Sequence, residues 1–168
     1  VYSATQTLNA VLNSATRVAI IATDPVGIIT VFNAGAERML GYRAADLIGK
    51  KSPLILHLPA EVEEHGRALS QQFSRKVHGF DVFVEHALHG GAEAREWTYV
   101  KKDGTHLPVE LVVTALNDSA GHFAGFLGVA TDVSARKRAL QDTRGRLESI
   151  LSSMEDVVYS IDPVTEDV

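Results

Sequence analysis

Residues 32–42 read FNAGAERMLGY, and both ends of a short helix can be recognised within them. Asn33 is a good N-cap, because its side-chain oxygen can accept a hydrogen bond from a free backbone N–H of the first turn. Gly41 is a good terminator, because glycine readily takes the left-handed conformation that ends many helices. The segment therefore predicts a helix over residues 34–40.

Two apolar runs precede this helix. Residues 17–23 (RVAIIAT) and 28–32 (IITVF) are rich in β-branched side chains, and DPVG lies between them at residues 24–27. Proline in the second position and glycine in the fourth favour a tight turn. The pattern predicts a β-hairpin that leads into the helix.

The part that follows changes from helical to strand periodicity. A short helix is predicted at 43–47, and amphipathic helices are predicted from Pro59 to residue 73 and over 80–88. Residues 93–101, 106–116 and 122–132 then read as strands, with Asp103-Gly104 marking a hairpin turn. The order is two strands, a group of helices and three strands, which indicates an α+β domain.

Both ends of the chain carry helical apolar stripes, over residues 5–15 and from Ser134 onwards. The second stripe repeats every seven residues, as in a short coiled-coil seam, although Gly145 weakens it. We expect a parallel homodimer through these helices, and a helix packed on its own domain is the alternative. The candidate dimer residues are Leu8, Val11, Leu12, Leu140, Leu147, Ile150 and Met154.

An internal repeat suggests how the chain is divided. A helix, a strand and Asp-Pro-Val occur at the beginning, ending at residues 24–26, and again at residues 162–164. The predicted domains are an N-terminal helix (1–16), a central domain (17–133), a linker helix (134–156) and the truncated start of a second, similar module (157–168).

Composition excludes several classes of protein. The 168 residues are 45% hydrophobic with a net charge of -5, and no basic cluster is large enough to follow a nucleic-acid backbone. Cysteine is absent, so disulfides, thiolate metal sites and thiol-bonded cofactors are excluded. No apolar run approaches the roughly 20 residues of a membrane span. We expect a cytoplasmic fragment without membrane contact; a membrane anchor elsewhere in its parent remains open.

Several motifs resemble those of the PAS family. The stretch from Asn33 to Tyr42 is similar to the family's Asn-x-x-x-Glu…Gly-Tyr segment, and Asp46-Leu47-Ile48-Gly49-Lys50 to its Glu-Leu-Ile-Gly-Lys. Lys102-Asp103-Gly104 and Thr131-Asp132-Val133-Ser134 occur where the family has equivalent motifs. The likeness covers roughly residues 5–140. Within it, the chain is similar to PAS modules that are attached to bacterial histidine kinases and diguanylate cyclases.

The resemblance implies a PAS fold, a five-stranded antiparallel sheet in the order 2-1-5-4-3 with helices on one face around a small pocket. It also implies a C-terminal signalling helix that relays a signal to an output domain, a kinase or cyclic-dinucleotide enzyme outside this fragment. Asp132 and Ser134 would then form the signal junction. The candidate pocket residues are Ile29, Val31, Leu40, Leu54, Leu56, Leu69, Phe83, Trp97, Leu111, Val113, Leu127 and Val129.

Two functions are compatible with these features. The first is a sensor of a small hydrophobic ligand or cofactor; the second is a ligand-free dimerisation or protein-interaction module. Enzyme signatures are missing, so the fragment is not expected to be catalytic. We expect no cofactor or metal, and two cofactors remain as alternatives. They are a flavin stacked on Trp97 or Tyr99 and a haem bound by one of His57, His65, His78, His86 and His89.

Overall fold

The structure is a computed structural model that describes residues 6–7, 10–11 and 14–159, with side chains up to residue 154. The chain separates into two units, Val1–Val133 and Ser134–Val168. The first unit contains the sheet and its helices, and the second consists of a single described helix.

The first unit is built on a five-stranded sheet in the order β2-β1-β5-β4-β3. Its strands are β1 (Val18–Thr23), β2 (Ile29–Phe32), β3 (Glu93–Val100), β4 (His106–Asn117) and β5 (Phe123–Asp132). Every neighbouring pair is antiparallel. The predicted strand order is confirmed, with β2 and β3 at the two edges.

The helices of the first unit lie between β2 and β3 in the sequence. They are α1 (Ala34–Leu40), α2 (Ala44–Leu47), a 3-10 turn (Pro53–Leu56), α3 (Pro59–Phe73) and α4 (Asp81–Leu88). The second unit is α5 (Ser134–Tyr159). Residues 6–7, 10–11 and 14 are also helical, within the predicted N-terminal helix.

Helix α1 has the ends that the sequence predicts. The Asn33 side chain accepts a hydrogen bond from the backbone N–H of Ala36 at 2.9 Å. Gly41 ends the helix with φ of 78°, and its N–H donates to the Glu37 carbonyl. Because both ends depend on local chemistry, these helix boundaries could be read without tertiary information.

The strand register separates the sheet into two faces. Ile21 pairs with Gly128, and Leu111 pairs with Ala130, so these residues lie on the face that the core cluster covers. Trp97 and Tyr99 of β3 lie on the same inner face and are buried. The inner face therefore contributes aromatic rings from the edge strand towards the helices.

The β3 edge is held by a side chain from α3. The Glu61 carboxylate accepts hydrogen bonds from the Thr98 backbone N–H at 2.8 Å and from the Thr98 hydroxyl at 2.7 Å. A carboxylate at this position satisfies an edge N–H that would otherwise be open to another strand. Tyr99, the residue after Thr98 on β3, forms an isolated β-bridge with His57.

Two further predictions concern the ends of the chain. The predicted start of a second module at 157–168 lies largely outside the described residues, although α5 runs through Tyr159. Within the part that is described, no helix has the length and hydropathy needed to cross a bilayer.

Candidate functional site

The candidate site is built around His57, which follows the 3-10 turn. Ser52 caps this turn by accepting from the Leu54 N–H at 3.4 Å, and Pro53 occupies its first position. His57 itself is extended and bridges to Tyr99. Local turn chemistry and one strand contact thus bring an imidazole into the space between the helices and the sheet.

Three aromatic rings surround the His57 imidazole. Its ring centroid is 4.1 Å from that of Phe83, 4.8 Å from Tyr99 and 5.1 Å from Trp97. The residue is only 4% exposed, and its Nδ1 has no hydrogen-bond partner among the described residues. Buried polar atoms without a partner are uncommon in folded proteins, and His57 Nδ1 is one of three among the described residues, with Thr23 Oγ1 and Glu85 Oε1.

Burial controls the ionisation of this interior. Desolvation lowers the pKa of His57 from 6.5 to about 3, so the imidazole is neutral near pH 7. Burial also raises the pKa of Tyr99, which stays protonated. The pKa of His65 is lowered by burial and, to a smaller extent, by the charge of Arg95. The His57 imidazole and the Tyr99 hydroxyl are therefore both uncharged near pH 7.

Two small cavities have Phe83 as a shared lining residue. The His57 cavity has a volume of about 30 Å³, and its lining residues are Ile21, Pro53, His57, Phe80, Phe83, Val84, Tyr99, Leu111, Val113, Phe126 and Gly128. The His65 cavity has a volume of about 20 Å³, and its lining residues are His65, Val82, Phe83, His86, Glu93, Arg95, Trp97, Leu111 and Val113. Each has room for about one water molecule, whereas drug-sized ligands need roughly 300 Å³ or more.

The predicted pocket residues fall into three groups. Phe83, Trp97, Leu111 and Val113 line one or both of these cavities. A second group belongs to the surrounding core without lining either cavity: Ile29, Leu40, Leu54, Leu56 and Leu69.

The third group lies on the opposite face of the sheet. Leu127 pairs with Ala22, Val129 pairs with Ile20, and Val31 also pairs with Ala22. These pairings place Val31, Leu127 and Val129 away from the inner face, which corrects their assignment to the pocket. The reason is that β5 reads FAGFLGVATD, an almost continuously apolar run without the alternation that would reveal its inner side.

Nine residues that line the cavities were not among the candidates from the sequence: Ile21, Pro53, Phe80, Val82, Val84, Glu93, Arg95, Phe126 and Gly128. Phe126 and Gly128 share one face of β5, but Leu127 and Val129, which alternate with them, are both large and apolar. Phe80 lies at the start of the amphipathic stretch predicted over 80–88, and Pro53 begins the 3-10 turn, but neither position by itself indicates a cavity. A period-two pattern anchored on Ile21 would have found Phe126 and Gly128 only if the strand register were already known.

The other three histidines proposed from the sequence, His78, His86 and His89, lie before, within and after α4. His86 Nδ1 lies 3.0 Å from a Glu93 carboxylate oxygen, and His89 Nδ1 lies 2.8 Å from the Glu85 carbonyl oxygen. His78 is exposed. Over the described ranges, His, Cys, Asp and Glu side chains form no group of three or more that could hold a metal ion.

The predicted signal junction lies where β5 ends. Asp132 pairs with Val109 of β4, and the next backbone N–H, that of Val133, donates to the Pro108 carbonyl at 3.1 Å. Ser134 is the first residue of α5. The chain thus passes directly from an inner strand of the sheet into the long helix.

The predicted dimer residues of α5 are exposed. Leu140, Leu147, Ile150 and Met154 are between 54% and 65% exposed. Val11 is 60% exposed, whereas Leu8 and Leu12 lie outside the described residues.

An antiparallel sheet in this order, with helices enclosing an aromatic interior on one face, defines the class of PAS sensory folds. The PAS domain family matches residues 17–135, which is most of the chain. This chain belongs to the PAS domain family, as its motifs predict.

Relatives agree with this assignment. The chain is 31% identical over 121 residues to two-component system protein A of Emericella nidulans, covering 72% of this chain and 16% of that protein. It is 26% identical over 129 residues to the C4-dicarboxylate transport sensor protein DctS of Rhodobacter capsulatus, covering 77% and 18%. The chain therefore spans less than a fifth of the length of these relatives.

A solved structure supports the same fold. The PAS domain of a protein from Colwellia psychrerythraea superposes with a TM-score of 0.62 at 20% identity, covering 79% of this chain and 99% of that one. At this identity the likeness concerns the fold alone.

Proposed function

We propose that this chain is the sensory PAS module of a larger signalling protein of the two-component type, and that it relays its state through α5 to an output domain outside this sequence. The observation that carries the proposal is the exposed apolar stripe of α5, which begins directly after β5. Both relatives described above are longer proteins whose names place them in two-component or sensor systems.

The stripe on α5 has the spacing of a dimer seam. Leu140, Leu147 and Met154 are seven residues apart, and Ile150 follows Leu147 by three. Side chains of this size are normally buried, and a seven-residue repeat buries them against a second helix. A parallel homodimer would place the two copies of the helix side by side and give the relay a symmetric output.

The interior limits what the module could sense. In this conformation the two cavities of about 30 and 20 Å³ cannot hold a flavin or a haem. Side chains fill the space instead, and this favours a second candidate, an interaction module that dimerises without a ligand. The unpartnered His57 Nδ1 favours the sensor.

The absence of cysteine allows a clean test of the dimer. Leu140→Cys and Met154→Cys lie near opposite ends of α5. In a parallel dimer each variant should form its own disulfide-linked dimer under mild oxidation. In an antiparallel pair, the two variants should cross-link efficiently only when they are mixed. Gln141→Cys, outside the stripe, is the matched control and should link much more slowly.

Sedimentation velocity supplies the complementary measurement. Leu147→Glu should shift the chain towards monomer, because it introduces a charge into the apolar seam, whereas Gln141→Glu adds the same charge elsewhere on the helix. A wild-type chain that stays monomeric at high concentration would contradict the dimeric relay.

A further inference from the structure

We propose that the two cavities that Phe83 lines are the closed form of one ligand site, and that this site binds a small uncharged ring compound through a hydrogen bond donated to His57 Nδ1. This inference rests on the proposed sensory function and names its ligand class.

Phe83 lines both the His57 cavity and the His65 cavity, and so do Leu111 and Val113 of β4. The two spaces therefore share walls on α4 and β4, and the proposed partition between them is the Phe83 ring. Movement of this one ring would join the two cavities and add the volume of a phenyl group.

The lining of the His57 cavity carries no formally charged side chain, since no Asp, Glu, Lys or Arg is among its residues. Its polar groups include the His57 imidazole, which is neutral because burial holds its pKa at about 3. An anionic or cationic ligand would find no compensating charge there, and burying such a charge is very costly. A dicarboxylate is accordingly a poor candidate for this cavity.

The unpartnered nitrogen of His57 can hold a ligand in a defined orientation. His57 Nδ1 is buried beside the cavity and has no hydrogen-bond partner among the described residues. In the tautomer with the proton on Nε2, Nδ1 is an acceptor, so a ligand O–H or N–H would supply the missing partner. The nearby rings of Phe83, Tyr99 and Trp97 are suited to edge or offset contacts with a ligand ring.

Ligand access fits the same arrangement. The His65 cavity is lined by Glu93 and Arg95, both exposed, and by His86, which pairs with Glu93. The Arg95 guanidinium carbon lies 5.4 Å from the centre of the Trp97 ring. These polar groups mark the solvent side of the site, and the uncharged His57 cavity is its inner end.

The volume that displacement of the Phe83 ring would add limits the size of the ligand. An apolar protein cavity of roughly 150 Å³ binds benzene in other proteins, so one displaced phenyl ring corresponds to a ligand of about one ring. Phenol and toluene are then a matched pair of probes, since they have similar shapes and only phenol can donate a hydrogen bond. Benzoate tests the exclusion of charge.

The experiment measures binding of these three probes by calorimetry to the wild-type chain and to Phe83→Ala, which removes the partition. Phenol should bind the variant at least tenfold more tightly than the wild type. Phenol should also exceed toluene by roughly five- to tenfold, the usual value of one hydrogen bond. Benzoate should bind neither protein.

His57→Leu in the Phe83→Ala background should abolish the preference for phenol while leaving toluene binding. His106→Leu, at an exposed position on β4, is the control and should keep the preference. In nitrogen-15 spectra of the wild type, phenol should shift the Nδ1 resonance of His57, and toluene should not. If Phe83→Ala does not fold, Phe83→Leu is used in its place.

Three results would overturn the inference: no binding of either neutral probe to the Phe83 variant, equal binding of phenol and toluene, or a preference for phenol that survives the loss of His57. None of them depends on α5 or on the oligomeric state. Failure of this site is therefore distinguishable from failure of the proposed relay, which the cross-linking experiment measures separately.

Discussion

Asn33 and Ile20 are joined by two hydrogen bonds of opposite direction. The Asn33 backbone N–H donates to the Ile20 carbonyl at 3.1 Å, and the Ile20 N–H donates to Asn33 Oδ1 at 2.9 Å. The side-chain NH2 of Asn33 also donates hydrogen bonds to the backbone carbonyls of Ala15 and Val18. One buried side chain therefore joins the start of β1 to the first turn of α1, which is more than the capping role that its sequence position predicts.

Replacing Asn33 with Asp should destabilise the fold by about 3 kcal/mol. The variant keeps an oxygen acceptor for Ile20, but it replaces the NH2 donor with a second oxygen facing two carbonyls. Urea unfolding followed by circular dichroism would measure the loss. Asn117→Asp, at the exposed end of β4, should change the free energy of unfolding by less than about 0.5 kcal/mol. Equal midpoints for the two variants would contradict the prediction.

Gly35→Ala should cost about 3 kcal/mol, because α1 crosses close to the start of β1. A Cβ on Gly35 would lie 2.0 Å from the Val18 carbonyl oxygen and 2.7 Å from that of Ala15, both of them backbone atoms. Gly145→Ala on α5 is the opposite case, since nothing lies within 4 Å of its Cβ. That change should increase helicity and stabilise α5 by roughly 0.5–1 kcal/mol. Thermal and urea unfolding of both variants would test the contrast.

Glu85 should depend on Arg75 for its burial. The Glu85 side chain is fully buried and forms an ion pair with the Arg75 guanidinium, whose side chain is 48% exposed. Arg75→Ala leaves a buried carboxylate without this partner, and we expect a loss of about 2 kcal/mol after allowing for the solvent exposure of Arg75.

A double-mutant cycle would isolate this coupling. Glu85→Gln removes the buried charge, so adding Arg75→Ala to it should cost much less than Arg75→Ala alone. Additive losses in urea unfolding would show that the pair contributes no coupling energy.

His57 should make the fold less stable as the pH falls below 6.5. Its folded pKa of about 3 is depressed, so between pH 6.5 and 3 the unfolded chain binds a proton that the folded chain does not. Stability from this group is therefore present above pH 6.5 and is lost as the pH falls towards 3. From pH 7 to pH 5 the loss should be about 2 kcal/mol.

His57→Phe should remove this contribution, and His106→Phe should leave it in place. The measurement is the free energy of urea unfolding at several pH values, compared between each variant and the wild type so that carboxylate titrations cancel. A parallel pH dependence in His57→Phe and the wild type would mean that His57 ionises normally in the folded chain.

The fold was predictable from the sequence because its signals are local. Asn33 and Gly41 delimit α1 by cap chemistry, Asp103-Gly104 marks the β3–β4 hairpin, and Pro59 begins α3. The strand order could not be predicted from such local signals. It followed from the resemblance to the PAS family, since nothing in the separate strands states which neighbours pair.

The candidate site was only partly predictable. Phe83, Trp97, Leu111 and Val113 were identified because amphipathic alternation in α4, β3 and β4 reveals their inner side. Leu127 and Val129 were assigned to the wrong face, because β5 is apolar on both sides and its pairing with β1 alone determines which residues point inwards.

By itself, the sequence determined the positions of the helices and strands, the family, the absence of thiol chemistry and the apolar stripe of α5, since each depends on residues that are near one another in the chain. The tertiary structure decided how empty the interior is and that the His57 Nδ1 lies in it without a hydrogen-bond partner among the described residues. His57, Phe83 and the β3 pair Trp97 and Tyr99 come from three different segments, and only packing brings the rings of Phe83, Trp97 and Tyr99 within about 5 Å of the His57 ring. Cavity volume and desolvation are properties of that packing, and no local pattern of residues encodes them.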